Sequence, residues 1–394
     1  MGAYDWRDTT ARHAIRVVQV SQTNLEDQLG ELEGVDLSGS SLEWGYYTDL
    51  RTSGKLRVWG DHWERGRFLR VYHDVPKYGF SEVLGTYVVT SDDAELVNGT
   101  WAYDLELQST LQMLVDDLLT RPWVIARGAS SLDAIAQVIA GSGAHSMRKT
   151  LANLSGARDS QVEVDTSLAE DKQATTAQIM KGGQPRLECV FVLAKMGNNR
   201  LDVNPMGYYT VARRRNLSSA TPRYRLDMAD RRGVIVDGSV KHHTDWLELP
   251  DTYAIEHTYT EKDEGGGSSK SEQREIYGIA KVKASSSHAI ANRGYSIVHF
   301  ESLREMEPKT AMRANEIARQ RLAEDSVELM EWELETTYLP LRGGDVVELV
   351  VHDGPKEYTG VRKCFVKELE VELEHMTMRM TLKETASGDK GDED

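Results

Sequence analysis

The sequence predicts an α+β chain rich in β structure, with a helical α/β segment between two short-stranded ones. Three observations predict it. Runs alternating at period two fill roughly the first hundred residues and return after residue 230. Between them the apolar spacing changes to i, i+3, i+4, i+7, the period of a helix face. Glycine-rich breaks punctuate the alternating runs throughout. With 394 residues, there is room for two or three domains of about 150 each and for a substantial buried core.

The first segment, residues 12–108, holds six strand-like runs: HAIRVVQV (13–20), SLEWGYY (41–47), KLRVWGD (55–61), RFLRVYHDV (67–75), EVLGTYVVT (82–90) and WAYDLELQS (101–109). SGS, RTSG, ERG, KYG and VNG separate them. Asn98-Gly99 marks a tight hairpin, because both central positions of that turn need positive φ. Short strands at this spacing suggest a small barrel or a sandwich.

The middle segment, residues 109–230, turns helical. Leu111, Leu114, Val115, Leu118 and Leu119 form one face, and Pro122 stops it. Ser130 or Ser131 caps a second helix with Ile135, Val138 and Ile139 as its stripe, ended by Gly141 or Gly143. Residues 150–183 are polar and mixed, with a helix expected around 172–181. PRLECVFVLAKMG can be read as a strand from its VFV, but Leu187, Val190, Phe191 and Ala194 fit a helix over 185–197, with Pro185 in its first turn and Gly197 as its cap. RLDVNPMGYYTV then reads as a hairpin around Asn204-Pro205-Met206-Gly207.

The last segment, residues 231–385, returns to strands at GVIVD (233–237), TYAIEHTYT (252–260), REIYGIAKV (274–282) and YSIVHF (295–300). Residues 261–273 are Gly/Ser-rich and charged, a mobile loop. Residues 308–325 form a helix whose stripe of Ala311, Ala314, Ile317, Ala318 and Leu322 is narrow enough to lie close against a neighbour. Strands follow at 327–339, 356–373 and 375–384. In the last of these Met376, Met378, Met380 and Leu382 mark one buried face. The tail 386–394, ASGDKGDED, is acidic and expected to be disordered.

Composition narrows the function. A formal net charge of −16 argues against a general grip on nucleic-acid phosphates and against adhesion to anionic membrane, and it favours solubility. No run of 18 apolar residues predicts a membrane span. The N-terminal MGAYDWRDTTARHAIRVV has no long apolar stretch of a secretory signal, and Gly2 makes a poor myristoylation pattern. Cys189 and Cys364 lie far apart and predict neither a disulfide framework nor a zinc site. His242 and His243, adjacent in a strand, would point to opposite faces. Asp116 and Asp117, adjacent on a helix, diverge by about 100° and read as a solvated face rather than an acid/base pair. No local motif of a metalloprotease, an α/β hydrolase, a dinucleotide-binding or a nucleotide-binding loop occurs. No catalytic residue, cofactor or metal ligand is expected. Trp44, Tyr46, Tyr47, Trp59 and Trp63 are either core packing or a surface that could stack on sugars or anchor an interface. In a strand, Trp44 and Tyr46 share one face and Tyr47 takes the other.

The stretch YLPLRGGDVVELVVHDG (338–354), with Gly343, Gly344 and Asp345 as the turn that opens a strand, resembles the C-terminal part of phage tail hub proteins. KLRVWGD…RFLRVYHDV…VLGTYVVTSDD is similar to that family's first barrel, and the helix 185–197 with its following hairpin to the middle domain. The resemblance covers roughly residues 12–385. It implies two small tail-tube-like β-barrels flanking the middle domain, and a homotrimer in which six barrels form a pseudo-sixfold ring. It further implies a virion protein at the distal end of the tail, made in the host cytoplasm. The partners it implies are the tail tube, a distal tail protein, the tape-measure protein and tip or receptor-binding proteins, with DNA passing through an acidic lumen without specific binding. Larger members carry a peptidoglycan-cleaving or fibre-like extension, which is not expected here. The alternatives are a cell-wall hydrolase, since scattered carboxylates suffice for glycoside cleavage, or a carbohydrate-binding tail protein.

Overall fold

The computed structural model describes residues 8, 10–21, 25, 28–60, 63–140, 169, 171, 173–174, 177–196, 199–215, 217–230, 234–236, 238–243, 249–262, 271–284, 289–303, 310–325, 331–354 and 358–385. Expectations for Gly141, Gly143, Gly197, the centre of loop 261–273, most of 150–183 and the tail 386–394 fall outside these residues. By its contacts the chain divides into two units, Met1–Lys241 with Trp332–Thr385, and His242–Glu331 with Ala386–Asp394. The boundaries expected at 108/109 and 230/231 do not coincide with this division.

The first unit begins with seven strands: β1 (Ala14–Val20), β2 (Gln28–Glu31), β3 (Val35–Gly45), β4 (Thr52–Trp59), β5 (Phe68–Val75), β6 (Phe80–Val97) and β7 (Thr100–Ser109). β6 runs for 18 residues, well beyond the expected 82–90, because its first half pairs with β5 and its second with β7. Asn98 (φ 52°) and Gly99 (φ 84°) join β6 to β7 with both central residues left-handed.

The middle of the chain contributes α1 (Gln112–Asp116), β8 (Trp123–Ile125), α2 (Ser131–Ala140), β9 (Gln178–Met180), α3 (Arg186–Met196), β10 (Asn199–Val203), β11 (Tyr209–Arg213) and β12 (Tyr224–Asp227). Two expectations are corrected. The helix drawn through Leu119 stops at Asp116, and the helix around 172–181 is in its described part the strand β9, paired with β8. The former has a physical cause: Asp117 leaves the helix (φ −90°, ψ 103°) to pair with Arg186 at 2.8 Å, with both side chains buried. Asp117 is therefore not part of a solvated face, while Asp116 is exposed. Leu114, Ile135, Val138, Ile139, Val190 and Leu193 share one apolar cluster with Leu201, Tyr209 and Val211.

The chain passes through β13 (Lys241–His243) into the second unit and returns to the first. The second unit holds β14 (Thr252–Lys262), β15 (Ser271–Lys281), α4 (Ile290–Arg293), β16 (Val298–Leu303) and α5 (Ala311–Asp325). Its sheet order is β15-β14-β16, with β14 antiparallel to β15 and parallel to β16. Ala314 and Ala318 of α5 are fully buried, and a Cβ added at Gly278 of β15 would meet the Ala314 backbone at 2.3 Å. The small-residue stripe packs as expected from Ala314 to Leu322, with a glycine opposite it, while Ala311 at the start of the helix is exposed. β14 and β15 extend to Lys262 and from Ser271, which shortens the expected loop at both ends.

β17 (Glu331–Thr337), β18 (Val346–Val351), β19 (Gly360–Glu372) and β20 (Thr377–Glu384) complete the chain. Met378, Met380 and Leu382 lie buried on one face of β20. The main sheet runs β17-β20-β19-β3-β4-β7-β6-β5-β1-β2, with β18 on β19 and β12 parallel on β18. Two β lobes, one from the start of the chain and one from its end, meet where Glu368–Glu372 of β19 pair with Gly45–Ser41 of β3. Among the described residues this ladder follows an open path, and neither expected barrel closes.

Candidate functional site

The seam between the lobes is built around the turn at 342–345. Gly344 adopts φ 87°. Its N–H donates to the Val366 carbonyl at 2.8 Å, and the Val366 N–H donates to the Asp345 carbonyl at 2.8 Å. The Asp345 carboxylate accepts from the Arg342 N–H at 2.9 Å and pairs with Arg223 at 2.7 Å. Just beyond, β19 bulges between Val366 and Glu368, and the Tyr46 N–H donates to the Lys367 carbonyl at 2.7 Å. A Cβ at Gly344 would lie 2.5 Å from the Tyr46 ring, and one at Gly343 would lie 3.0 Å from the Tyr46 nitrogen. Only glycine lets the turn approach this closely.

The aromatic group divides. Trp44 is buried, with the Arg342 guanidinium 4.9 Å from its ring centroid. Tyr46 and Tyr47 do not take opposite faces: β3 ends at Gly45, so both lie beyond the pleat and both rings meet Phe365, at 5.5 Å and 6.1 Å. Tyr47 is 61% exposed. Trp59 lies at the far end of β4, where its Nε1–H donates to Asp36 at 3.0 Å, and Trp63 packs near Tyr103. The structure brings Trp44, Tyr46, Tyr47, Gly343, Gly344 and Asp345 together, and leaves Asn98, Gly99, Trp59 and Trp63 elsewhere in the first lobe.

Behind the turn runs a polar chain. Tyr338 donates to Glu82 at 2.5 Å, Glu82 faces His73 Nδ1 at 3.2 Å, and His73 Nε2 faces His13 at 2.8 Å. Burial pushes the Glu82 carboxyl up, but hydrogen bonds from His73 and Tyr338 and the charge of Arg342 outweigh it, leaving it below the usual carboxylate range. Burial lifts the Tyr338 hydroxyl far above its usual range, so it remains a donor. The sequence reading missed Arg342, Glu82 and Tyr338; a charged residue flanking a Gly-Gly turn gives no sign of burial.

The β10–β11 hairpin is fixed against the first lobe. Buried Arg70 donates to Thr86 Oγ1 (2.8 Å) and to the Leu25 and Met206 carbonyls (2.6 and 3.1 Å), while Thr110 donates to the Gly207 carbonyl at 2.8 Å. Leu201, Tyr209 and Val211 face the core, so period two turns Arg200, Asp202, Thr210 and Ala212 outward. Those four form the floor of a hollow of about 400 Å³ walled by Tyr46, Leu84–Thr86 and the 342–345 turn. Arg200 stacks over Tyr46 at 3.9 Å. A second, larger hollow of about 920 Å³ shares Trp44, Gly45, Arg51 and Thr52 with it. Its character is the reverse: Glu43, Asp49, Glu188, Glu368 and Glu370 line it.

His242 and His243 are exposed in β13. Cys189 and Cys364 are buried free thiols, pushed up by burial, Cys189 to about 11. Among the described residues Glu372, Glu374 and His375 bring ligand atoms within 4.8 Å of one another at the β19–β20 turn, where Glu372 also accepts from Thr377 at 2.9 Å. No helix among the described residues is long and apolar enough to cross a membrane.

No protein-family profile matches the sequence, and no curated protein matches it. Solved structures do match the fold. A tail protein from Neisseria meningitidis is 12% identical with a TM-score of 0.62, covering 96% of this chain and 98% of its own. The 43 kDa tail protein of prophage MuSo2 from Shewanella oneidensis is 10% identical at TM-score 0.59, covering 95% and 99%. A prophage tail protein from Listeria monocytogenes is 9% identical at TM-score 0.51, covering 94% of each. At these identities the likeness is one of fold, and it covers nearly the whole chain: this protein has the fold of phage tail proteins.

Proposed function

We propose that this chain is a structural protein of a phage tail, acting as the hub at its tip or baseplate. The observation that carries the reading is the arrangement of two β lobes, drawn from opposite ends of the chain and joined strand to strand through β3 and β19. Two lobes per copy are what a threefold assembly needs to present six similar surfaces to a sixfold tube, and pairing of lobe edges between copies would cover exposed backbone. In this reading residues 12–108 and 231–385 act as two barrel equivalents around a middle domain, 109–230. Three copies form a ring on the tail tube and distal tail protein, hold tip or receptor-binding proteins below, seat the end of the tape-measure protein and let DNA pass. No residue is catalytic, and the protein resides in the virion at the distal end of the tail.

Light scattering on the purified chain, alone and with its distal tail protein, tests the reading. A mass of three copies in either sample supports it. A monomer that persists in both overturns it.

A further inference from the structure

We propose that the hollow over the β10–β11 hairpin is a docking groove for an acidic, extended protein segment, whose Asp or Glu side chains enter between the Tyr46 wall and the hairpin face. The inference is independent of the ring described above.

Charge is the first ground. Six arginines line the hollow, Arg51, Arg200, Arg213, Arg214, Arg215 and Arg342, against two carboxylates, Asp202 and Asp345. This occurs in a chain of net charge −16, where a local excess of cations runs against the whole. The two carboxylates are already engaged, Asp345 by Arg223 at 2.7 Å and Asp202 by Arg200 at 3.3 Å. Arg214 and Arg215 are exposed where the chain leaves β11.

Preorganisation is the second ground. Arg200 sits over the Tyr46 ring with its guanidinium carbon 3.9 Å from the centroid, and Arg51 is fixed by the carbonyls of Tyr46 (3.1 Å), Thr48 (2.5 Å) and Leu201 (3.3 Å). Burial, then the charge of Arg200, holds the Arg51 guanidinium down at about 10. An arriving carboxylate offsets that like-charge repulsion, and guanidinium forks already in place bind it with little further ordering.

Shape chooses the ligand class. The floor is a strand face presenting alternate residues, which matches the alternation of an extended peptide. The hollow, at about 400 Å³, takes a few side chains rather than a length of polynucleotide. The chain's net charge of −16 disfavours a long phosphate backbone.

The test uses the full chain and three fluorescent probes: an octapeptide alternating Glu and Thr, its Gln counterpart, and a single-stranded DNA octamer. Saturable binding of the Glu peptide should weaken at least 10-fold between 50 and 300 mM salt. It should weaken at least 10-fold in Arg214→Glu/Arg215→Glu, and hold within 2-fold in the control Arg12→Glu/Arg65→Glu, which makes the same change in net charge. The Gln peptide should bind at least 10-fold more weakly. No saturable binding of the Glu peptide, equal loss in both double variants, or tighter binding of the DNA octamer would each overturn the proposal.

Discussion

Gly344 carries two constraints at once. Its φ of 87° strains any residue with a Cβ, and the Tyr46 ring occupies the place where that Cβ would go. Gly344→Ala should cost about 1 kcal/mol for the backbone and roughly 1–3 kcal/mol more for the overlap. In a double-mutant cycle, Gly344→Ala on a Tyr46→Ala background should cost only the backbone part, because the clash is gone. Denaturant midpoints at constant slope measure both, and strict additivity would show that Tyr46 is not the partner. Glu82 gives a pH signature. Its folded pKa is depressed, so its contribution is fully present above the ordinary carboxylate value near 4.3 and is lost as pH falls through the lower folded value. Glu82→Gln should destabilise by about 1–3 kcal/mol at pH 7, and the gap to the parent should close on acidification below pH 4. A gap constant from pH 7 to pH 3 would remove the charge from the explanation. Asn98-Gly99 and the turn at Gly344 were legible in the sequence because positive φ leaves a compositional mark. Tyr46 as the partner of Gly344 was not, since nothing local records a contact with a residue from the other end of the chain.

Period and propensity read helices α2, α3 and α5 and most strands correctly, because each buries one regular face. They failed where a tertiary contact overruled the local pattern. Leu118 and Leu119 continue the apolar spacing of α1, yet the helix ends before them, since Asp117 is worth more beside Arg186 than inside another turn. The pair is buried, and its two partners come from different elements. Asp117→Ala leaves a guanidinium without its counter-ion in the core and should cost about 3–5 kcal/mol. Chemical denaturation followed by tryptophan fluorescence would measure it, and a loss under 1 kcal/mol would mean that the bent exit from α1 has another cause. The same limit explains β9: Gln178-Ile179-Met180 sits in a polar stretch with helix-compatible composition, and only the facing Trp123–Ile125 makes it a strand.

Chain order and structural order diverge most in the assembly of the two units. β20 follows the second unit in sequence, yet it shares a sheet with β4 through β19 and β3. Among the described residues the second unit rests on a small apolar cluster of Tyr253, Ile255, Ala280, Ala318 and Leu322, whereas the first buries apolar residues in both lobes and in the helical middle. Less buried apolar surface supports a smaller opening free energy. Native-state hydrogen exchange should therefore find β14, β15 and α5 opening first, as one group. Amides of β4, β7, β19 and β20 should then exchange together, at higher free energy and with one common denaturant slope, although they come from opposite ends of the chain. If sequence neighbours governed cooperativity instead, β20 would open with β14 and β15, ahead of β4. That result would mean the β3–β19 seam does not bind the lobes into one cooperative body, and it would remove the physical basis for reading them as a matched pair in a ring.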